Sequence, residues 1–253
     1  MTEPPTFPRG TAPEGASSEL DASRKVREMF TRIAPRYDLL NHLLSAQMDR
    51  VWRNRTAREL KPILDRGDAI ALDLCCGTGD LSLALQQRAR ARIIGADFSH
   101  TMLVRARQKA SQGNGVPRVE FFEADALSLP FADSSFDLVT TAFGFRNLAN
   151  YEAGLREIAR VLKSRGALAI LDFSEPAPGI LGDVYRFYFR KVLPKVGGII
   201  SGDPEAYAYL PRSVSRFFRP DELAALMKQV GYTQVHYHLM TLNSVALHLG
   251  VRE

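Results

Sequence analysis

The strongest constraint on the fold is a short apolar run that stops on a glycine turn. Residues 69–74 are apolar apart from Asp73, and Cys75-Cys76-Gly77-Thr78-Gly79 follows at once. A run this short, with turn residues directly after it, reads as a buried strand feeding a helix. The pattern then repeats. Apolar runs at 92–96, 119–123, 136–142 and 167–173 alternate with helical periodicity at 81–88, 99–111 and 151–162. The Gly113-Asn114-Gly115 stretch is expected to break the second of these helices. Strands separated by helices imply βαβ units and a parallel sheet whose strands are buried on both faces. Residues 233–240 and 244–249 read as a closing pair, so the expected class is α/β, with a seven-stranded, mostly parallel sheet and helices on both faces.

Outside that block the chain changes character. Residues 1–23 are rich in proline, glycine and serine and carry no periodic apolar face, which predicts a disordered tail. Residues 24–66 read as a helical lid, and 67–253 as the ligand-binding domain. Within that domain, an insertion near 177–219 carries a helix with Tyr185, Phe187, Tyr188 and Phe189, expected to end at Gly197-Gly198. The lid holds eleven Lys/Arg against five acids, an excess of +6 that exceeds the net +5 of all 253 residues. Such a charge run is ordinarily a solvated face, and it also suits contact with anionic lipid headgroups. No run of about 18 apolar residues is present, which excludes a membrane-spanning helix. The two cysteines are adjacent and cannot build a disulfide framework or a zinc site, so a cytoplasmic chain with no metal is expected.

The glycine turn also says what can bind. In open α/β sheets, ligands sit at the carboxyl ends of the strands. Gly77 and Gly79 allow a sharp turn and a close backbone approach. Asp97 ends the next apolar run, placed for a ribose diol, and Asp125-Ala126 follow the third. A dinucleotide would want a third glycine where Ser82 stands, and would meet Asp73 and Asp80 beside its pyrophosphate. S-adenosylmethionine carries an ammonium and a sulfonium, and acids around the loop suit it. An NAD-dependent oxidoreductase is therefore the disfavoured alternative. An RNA-binding module is disfavoured by the aromatic character of the insertion.

Several longer stretches sharpen this. Phe30-Thr31-Arg32-Ile33-Ala34-Pro35-Arg36-Tyr37-Asp38-Leu39-Leu40-Asn41, Trp52, residues 72–80, Phe143-Gly144-Phe145-Arg146-Asn147 and Asp172-Phe173-Ser174-Glu175-Pro176 resemble the menaquinone/ubiquinone biosynthesis C-methyltransferase family. That is a branch of the Rossmann-like class I methyltransferases that use S-adenosyl-L-methionine. The resemblance covers nearly the whole chain from Arg24 to Gly250. It implies methylation of a ring carbon of a reduced, polyprenylated quinone, with demethylmenaquinol the leading substrate. A benzoquinol of the ubiquinone pathway or a phytyl naphthoquinol are the alternatives. It also implies cofactor contacts by Thr78, Asp97 and Asp125-Ala126, on a loop shaped by Gly77 and Gly79, with Asp73 and Ala142 beside it. Some ubiquinone-type members carry serine at the position of Ala142, and its absence leans away from that pathway.

Methyl transfer from a sulfonium to an electron-rich ring neutralises charge, and so gains from a water-poor site. Arg146 is the candidate for stabilising a phenolate or orienting a water, although a structural ion pair would explain it equally well. Tyr37 and Asp38 are the next candidates, in the segment expected to cover the cofactor. The expected partners are the quinol, an anionic membrane surface at the inner face of the cytoplasmic membrane and a second copy in a homodimer, with no nucleic acid.

Overall fold

The computed structural model describes residues 9–112, 119–201 and 203–253. Four helices come first: α1 (Glu19–Ile33), α2 (Tyr37–Leu44), α3 (Met48–Glu59) and the single turn α4 (Lys61–Leu64). Strands and helices then alternate as β1 (Ile70–Leu74), α5 (Asp80–Gln86), β2 (Arg92–Asp97), α6 (His100–Ser111), β3 (Val119–Glu123), β4 (Phe136–Ala142), α7 (Tyr151–Val161) and β5 (Leu162–Phe173). Next come α8 (Ile180–Phe187), a π-helical stretch at Tyr188–Val192, α9 (Leu193–Ser201), α10 (Pro204–Arg216) and α11 (Pro220–Val230). The chain closes with β6 (Tyr232–Met240) and β7 (Val245–Arg252).

One seven-stranded sheet runs in the order β3-β2-β1-β4-β5-β7-β6. The first five strands are parallel, and β7 lies antiparallel to both β5 and β6. This is the architecture that the alternation of apolar runs implies. The order reverses at β1, which has β2 on one side and β4 on the other. A crevice is therefore forced open where the connections leave in opposite directions.

The helices dock by apolar stripes. On α7, Tyr151, Leu155, Ile158 and Val161 fall on one face and are buried, while Asn150 caps the first turn by accepting the Ala153 amide at 3.0 Å. Each aliphatic side chain so buried stabilises by roughly 1.5–3 kcal/mol. The core lies in two layers, one on each face of the sheet, with Trp52 of α3 anchoring the lid to the second.

Two expectations need correction. The tail does not extend to residue 23. Ser18 caps α1 by accepting the Asp21 amide, and Ala22 and Val26 are already buried. Ahead of it, Thr11 donates its amide to the Leu148 carbonyl and Arg9 accepts the Tyr151 amide. Gly10 packs so closely that a Cβ would stand 1.9 Å from the Ala149 oxygen. Short backbone hydrogen bonds of this kind leave no periodicity in the sequence. Residues 1–8 lie outside the described residues, as does the expected break at Gly113-Asn114-Gly115. Finally, the helix of the insertion is not broken at Gly197-Gly198. Both glycines are buried inside α9.

Candidate functional site: two adjoining clefts

The turn after β1 is held by the strand ends around it. Cys75, Gly77 and Gly79 all adopt left-handed backbone, with φ of 54°, 55° and 83°. The Cys76 amide donates to the Ala96 carbonyl of β2 at 3.0 Å. The Asp97 carboxylate accepts the Gly77 amide at 2.9 Å and the Ser99 amide at 2.8 Å. Burial pushes Asp97 up to about 6, with the two amides pulling against it. Asp73 is fully buried beneath the loop, where it accepts hydroxyls from Ser82 at 2.5 Å and Thr140 at 3.2 Å. Burial pushes its carboxyl up to about 7. Asp73 therefore ties the loop to α5 and β4. Both cysteine thiols are pushed up by burial and then by the acids nearby, which leaves them poor nucleophiles.

Around this turn lies a cleft of about 880 Å³. Its lining brings together Tyr37, Asp73, Gly77, Thr78, Asp97, Asp125, Ala126 and Ala142. Asp125 is exposed at the rim, and Ala126 is buried behind it. Phe98 and Met102 supply apolar surface on the β2 side. The groups present suit a ligand with cationic centres, a diol and a flat ring. Buried acid lies at the base, amides lie at the turn, and apolar side chains lie on the flanks.

The lid reaches the turn directly. Thr78 donates its hydroxyl to Asp38 of α2 at 2.5 Å. Lys109 of α6 bonds the Asp38 carboxylate at 3.0 Å, the Thr78 hydroxyl at 2.9 Å and Asp80 at 2.5 Å. Next to this cluster, Asp49 is buried and accepts from Ser45 at 2.6 Å, from His42 and from Arg53. Burial pushes Asp49 up, but the Ser45 hydroxyl, then Arg53 and His42, outweigh it and hold the carboxyl below its usual range. His42, Asp49 and Asp80 offer ligand atoms within 4.8 Å of one another, but the Arg53 guanidinium already pairs with both acids.

A second cleft, of about 830 Å³, adjoins the first. Phe30, Tyr37, Arg53 and Phe143 line both. The second is largely apolar, with Trp52, Phe173, Tyr185, Phe189 and Leu193 among its walls. Phe143, at the end of β4, is held at φ 60°, a conformation that costs a bulky residue of order 1–3 kcal/mol. Burial raises the Tyr37 hydroxyl above the usual phenol range, so it stands as a neutral donor on the shared wall.

Arg146 lines the second cleft and is 5% exposed. Its Nη1 bonds Asp172 at 2.8 Å and also reaches the Phe143 carbonyl, while its backbone amide bonds the other Asp172 oxygen at 3.1 Å. Its guanidinium lies 5.1 Å from the centre of the Phe173 ring. The charge is thus compensated by Asp172, yet Nε is buried without a hydrogen-bond partner. An unpaired buried N–H costs roughly 1–3 kcal/mol.

Sequence reasoning missed Arg53, Asp49 and Lys109. By charge pattern Arg53 is one of the lid's solvated cations, whereas the side chain is buried on the wall common to both clefts. The signal was present: Arg53 follows Trp52 and lies one helical turn after Asp49, a spacing that brings the two together. Much of the lid's remaining excess is also paired, as in Arg24 with Asp21 and Glu28, Arg27 with Glu123, and Arg32 with Asp203.

Residues 18–252 match the model of the ubiE/COQ5 methyltransferase family. The chain is 50% identical to a demethylmenaquinone methyltransferase of Thermus thermophilus over 88% of this chain and 100% of that one. It is 46% identical to one of Deinococcus radiodurans, covering 91% and 93%. It is also 39% identical to a ubiquinone/menaquinone biosynthesis C-methyltransferase of Geotalea daltonii, covering 91% and 97%. Among solved structures, a SAM-dependent methyltransferase of Thermotoga maritima superposes with a TM-score of 0.60 at 18% identity, over 90% of this chain and 100% of the other. A Haemonchus contortus phosphoethanolamine N-methyltransferase in complex with S-adenosyl-L-methionine gives 0.58 at 13%, over 79% and 52%. At such identities the likeness is one of fold, and it agrees with the class I architecture the sequence implies.

Proposed function

The chain belongs to the ubiE/COQ5 methyltransferase family, and on that premise we propose that it methylates a ring carbon of a demethylmenaquinol with S-adenosylmethionine as donor. The observation that carries this reading is the pair of adjoining clefts, one edged by strand-end acids and amides, the other aromatic and apolar, with Phe30, Tyr37, Arg53 and Phe143 in common. Two reagents of opposite character fit side by side across that wall.

When bound, S-adenosylmethionine supplies a methyl group on a sulfonium, which needs no further activation. The chain's own residues do the rest. Asp97 accepts from the ribose hydroxyls, and its two bonds to backbone amides fix its direction. Gly77 and Gly79 bring backbone close, and Thr78 binds at the loop where Asp38 and Lys109 meet it. Asp125, Ala126 and Ala142, which line the same cleft, would hold the adenine ring. Asp73 contributes by holding the loop rather than through a free carboxylate.

On the acceptor side, Phe143, Phe173 and Trp52 exclude water. A low-dielectric wall favours a step in which an electron-rich ring and a sulfonium both lose their charge. Tyr37 and the unspent Nε of Arg146 orient ring oxygens, and Arg146 lowers the cost of a phenolate. Transfer would form a C–C bond as the sulfur–methyl bond breaks, leaving S-adenosylhomocysteine, with the ring proton passing to a water oriented by Arg146. A naphthoquinol is favoured over a benzoquinol because two relatives, at 50% and 46% identity, are demethylmenaquinone methyltransferases. A polyprenyl tail brings the chain to the membrane as a peripheral protein.

The test is direct. S-adenosylmethionine should raise the melting temperature where NAD does not, and extracts of cells lacking the protein should accumulate demethylmenaquinone. Stabilisation by NAD alone, or an unchanged quinone pool, would refute the reading.

A further inference from the structure

The outer side of α8 carries a run of exposed apolar side chains. Ile180, Leu181, Val184 and Phe187 are 82%, 66%, 62% and 64% exposed. Their spacing of one, four and seven residues from Ile180 puts them in a single stripe. The one acid on this helix, Asp183, is paired with Arg186 at 2.5 Å. The opposite side of the same helix faces inward. Tyr185 lines the second cleft, and Phe189, just beyond, stacks on it with ring centres 6.0 Å apart. One helix thickness therefore separates the apolar cleft from the outside. The helix continues through the π-helical stretch into α9, where Lys191 and Lys195 are exposed.

We propose that α8 is the element that seats in an anionic lipid bilayer, its apolar stripe in the acyl region and Lys191 and Lys195 at the headgroups. This rests on the reading of the second cleft as the site of a polyprenylated quinol. A helix that is apolar outside and flanked by cations has the composition of an interfacial membrane anchor. Charge complementarity favours an anionic surface over a neutral one. Four side chains offer far less than the ~800 Å² per partner of a stable protein interface, which argues against a second copy of the chain as the occupant. The basic lid is the weaker candidate for this role, because Arg24, Arg27 and Arg32 are paired with acids and Arg53 is buried. Seated this way, the helix places the wall of the quinol cleft against the medium that dissolves the tail.

The experiment uses the full chain and two kinds of vesicle, pure phosphatidylcholine and an equal mixture with phosphatidylglycerol. The wild type should cosediment with the mixed vesicles. Leu181→Glu/Phe187→Glu should weaken that binding by about tenfold or more, and Lys191→Glu/Lys195→Glu should weaken it on mixed vesicles only. Methylation of a short-chain, water-soluble naphthoquinol should stay within about twofold in Leu181→Glu/Phe187→Glu, since neither residue lines a cleft. Turnover of a long-chain quinol embedded in vesicles should fall with binding. Wild-type protein that ignores both vesicles, or a Leu181→Glu/Phe187→Glu variant that binds like wild type, overturns the proposal. So does a variant that turns a dimer into a monomer and leaves vesicle binding intact. A wild type inactive on the soluble quinol would instead sink the reading of the cleft.

Discussion

Asp38 and Thr78 are 40 residues apart in sequence and joined by a 2.5 Å hydrogen bond, so that the helical lid is fastened to the glycine turn by one side-chain pair. Lys109 bonds both partners and adds a charge to the fastening. The turn and the lid are thereby ordered together.

Removing that pair should show in cofactor affinity. Asp38→Ala removes the acceptor of the Thr78 hydroxyl and leaves Lys109 bonded to Thr78 and Asp80. A hydrogen bond to a charged group contributes about 1.5–3 kcal/mol, and part of it is lost as lid closure. Isothermal titration should show S-adenosylmethionine binding weakened about tenfold, with faster amide exchange in α2. Affinity equal to wild type would mean the pair does not hold the lid.

The state of Asp97 should set a pH dependence of binding. Its carboxyl titrates at about 6 because it is buried. A ligand hydroxyl donates to the ionised form, so affinity should rise as pH increases through 6 and fall off below it. Asp97→Asn should bind weakly at every pH and lose this slope. A wild-type profile flat from pH 5 to pH 8 would contradict the assignment.

Asp73 should act on stability with a definite sign. Its folded value of about 7 lies above the ordinary 3.8. The folded state therefore holds a proton that the unfolded chain has released, and stability is greatest below about 4 with respect to this group. It is lost as pH rises toward 7, and Asp97 contributes in the same direction up to about 6. Thermal melts of ligand-free protein should show Asp73→Asn flattening the decline between pH 5 and pH 8. An unchanged slope in that variant would exclude Asp73 as its source.

Arg146→Lys separates chemistry from binding. Lysine can still pair with Asp172, but it has no Nε in the place where Arg146 carries an unspent N–H. Turnover should fall about tenfold or more, while S-adenosylmethionine affinity stays within about twofold. Near-normal turnover would return Arg146 to the role of a structural ion pair.

Much of the site was legible because it obeys local rules. Asp73, the glycine turn, Asp97 and Asp125-Ala126 each sit where an apolar run ends, and a parallel sheet brings strand ends together whatever the side chains do elsewhere. What escaped depends on packing between distant segments. Arg53 looks like one of many lid cations until α3 lies against the sheet and buries it. Lys109 is a surface lysine by pattern, yet it spans from α6 to Asp38. The strain at Cys75 and Phe143 has no sequence signature, because neither is a residue that favours left-handed backbone. The segment at residues 9–11 reads as tail because its order comes from hydrogen bonds to residues some 140 positions away.

The wall formed by Phe30, Tyr37, Arg53 and Phe143 makes the two clefts neighbours without merging them. The Asp38–Thr78 latch borders one cleft, and Tyr185 of α8 lines the other. On the proposed function, the donor would occupy the cleft at the glycine turn and the polyprenylated acceptor the apolar one. The spent donor should not compete with the acceptor for the same space.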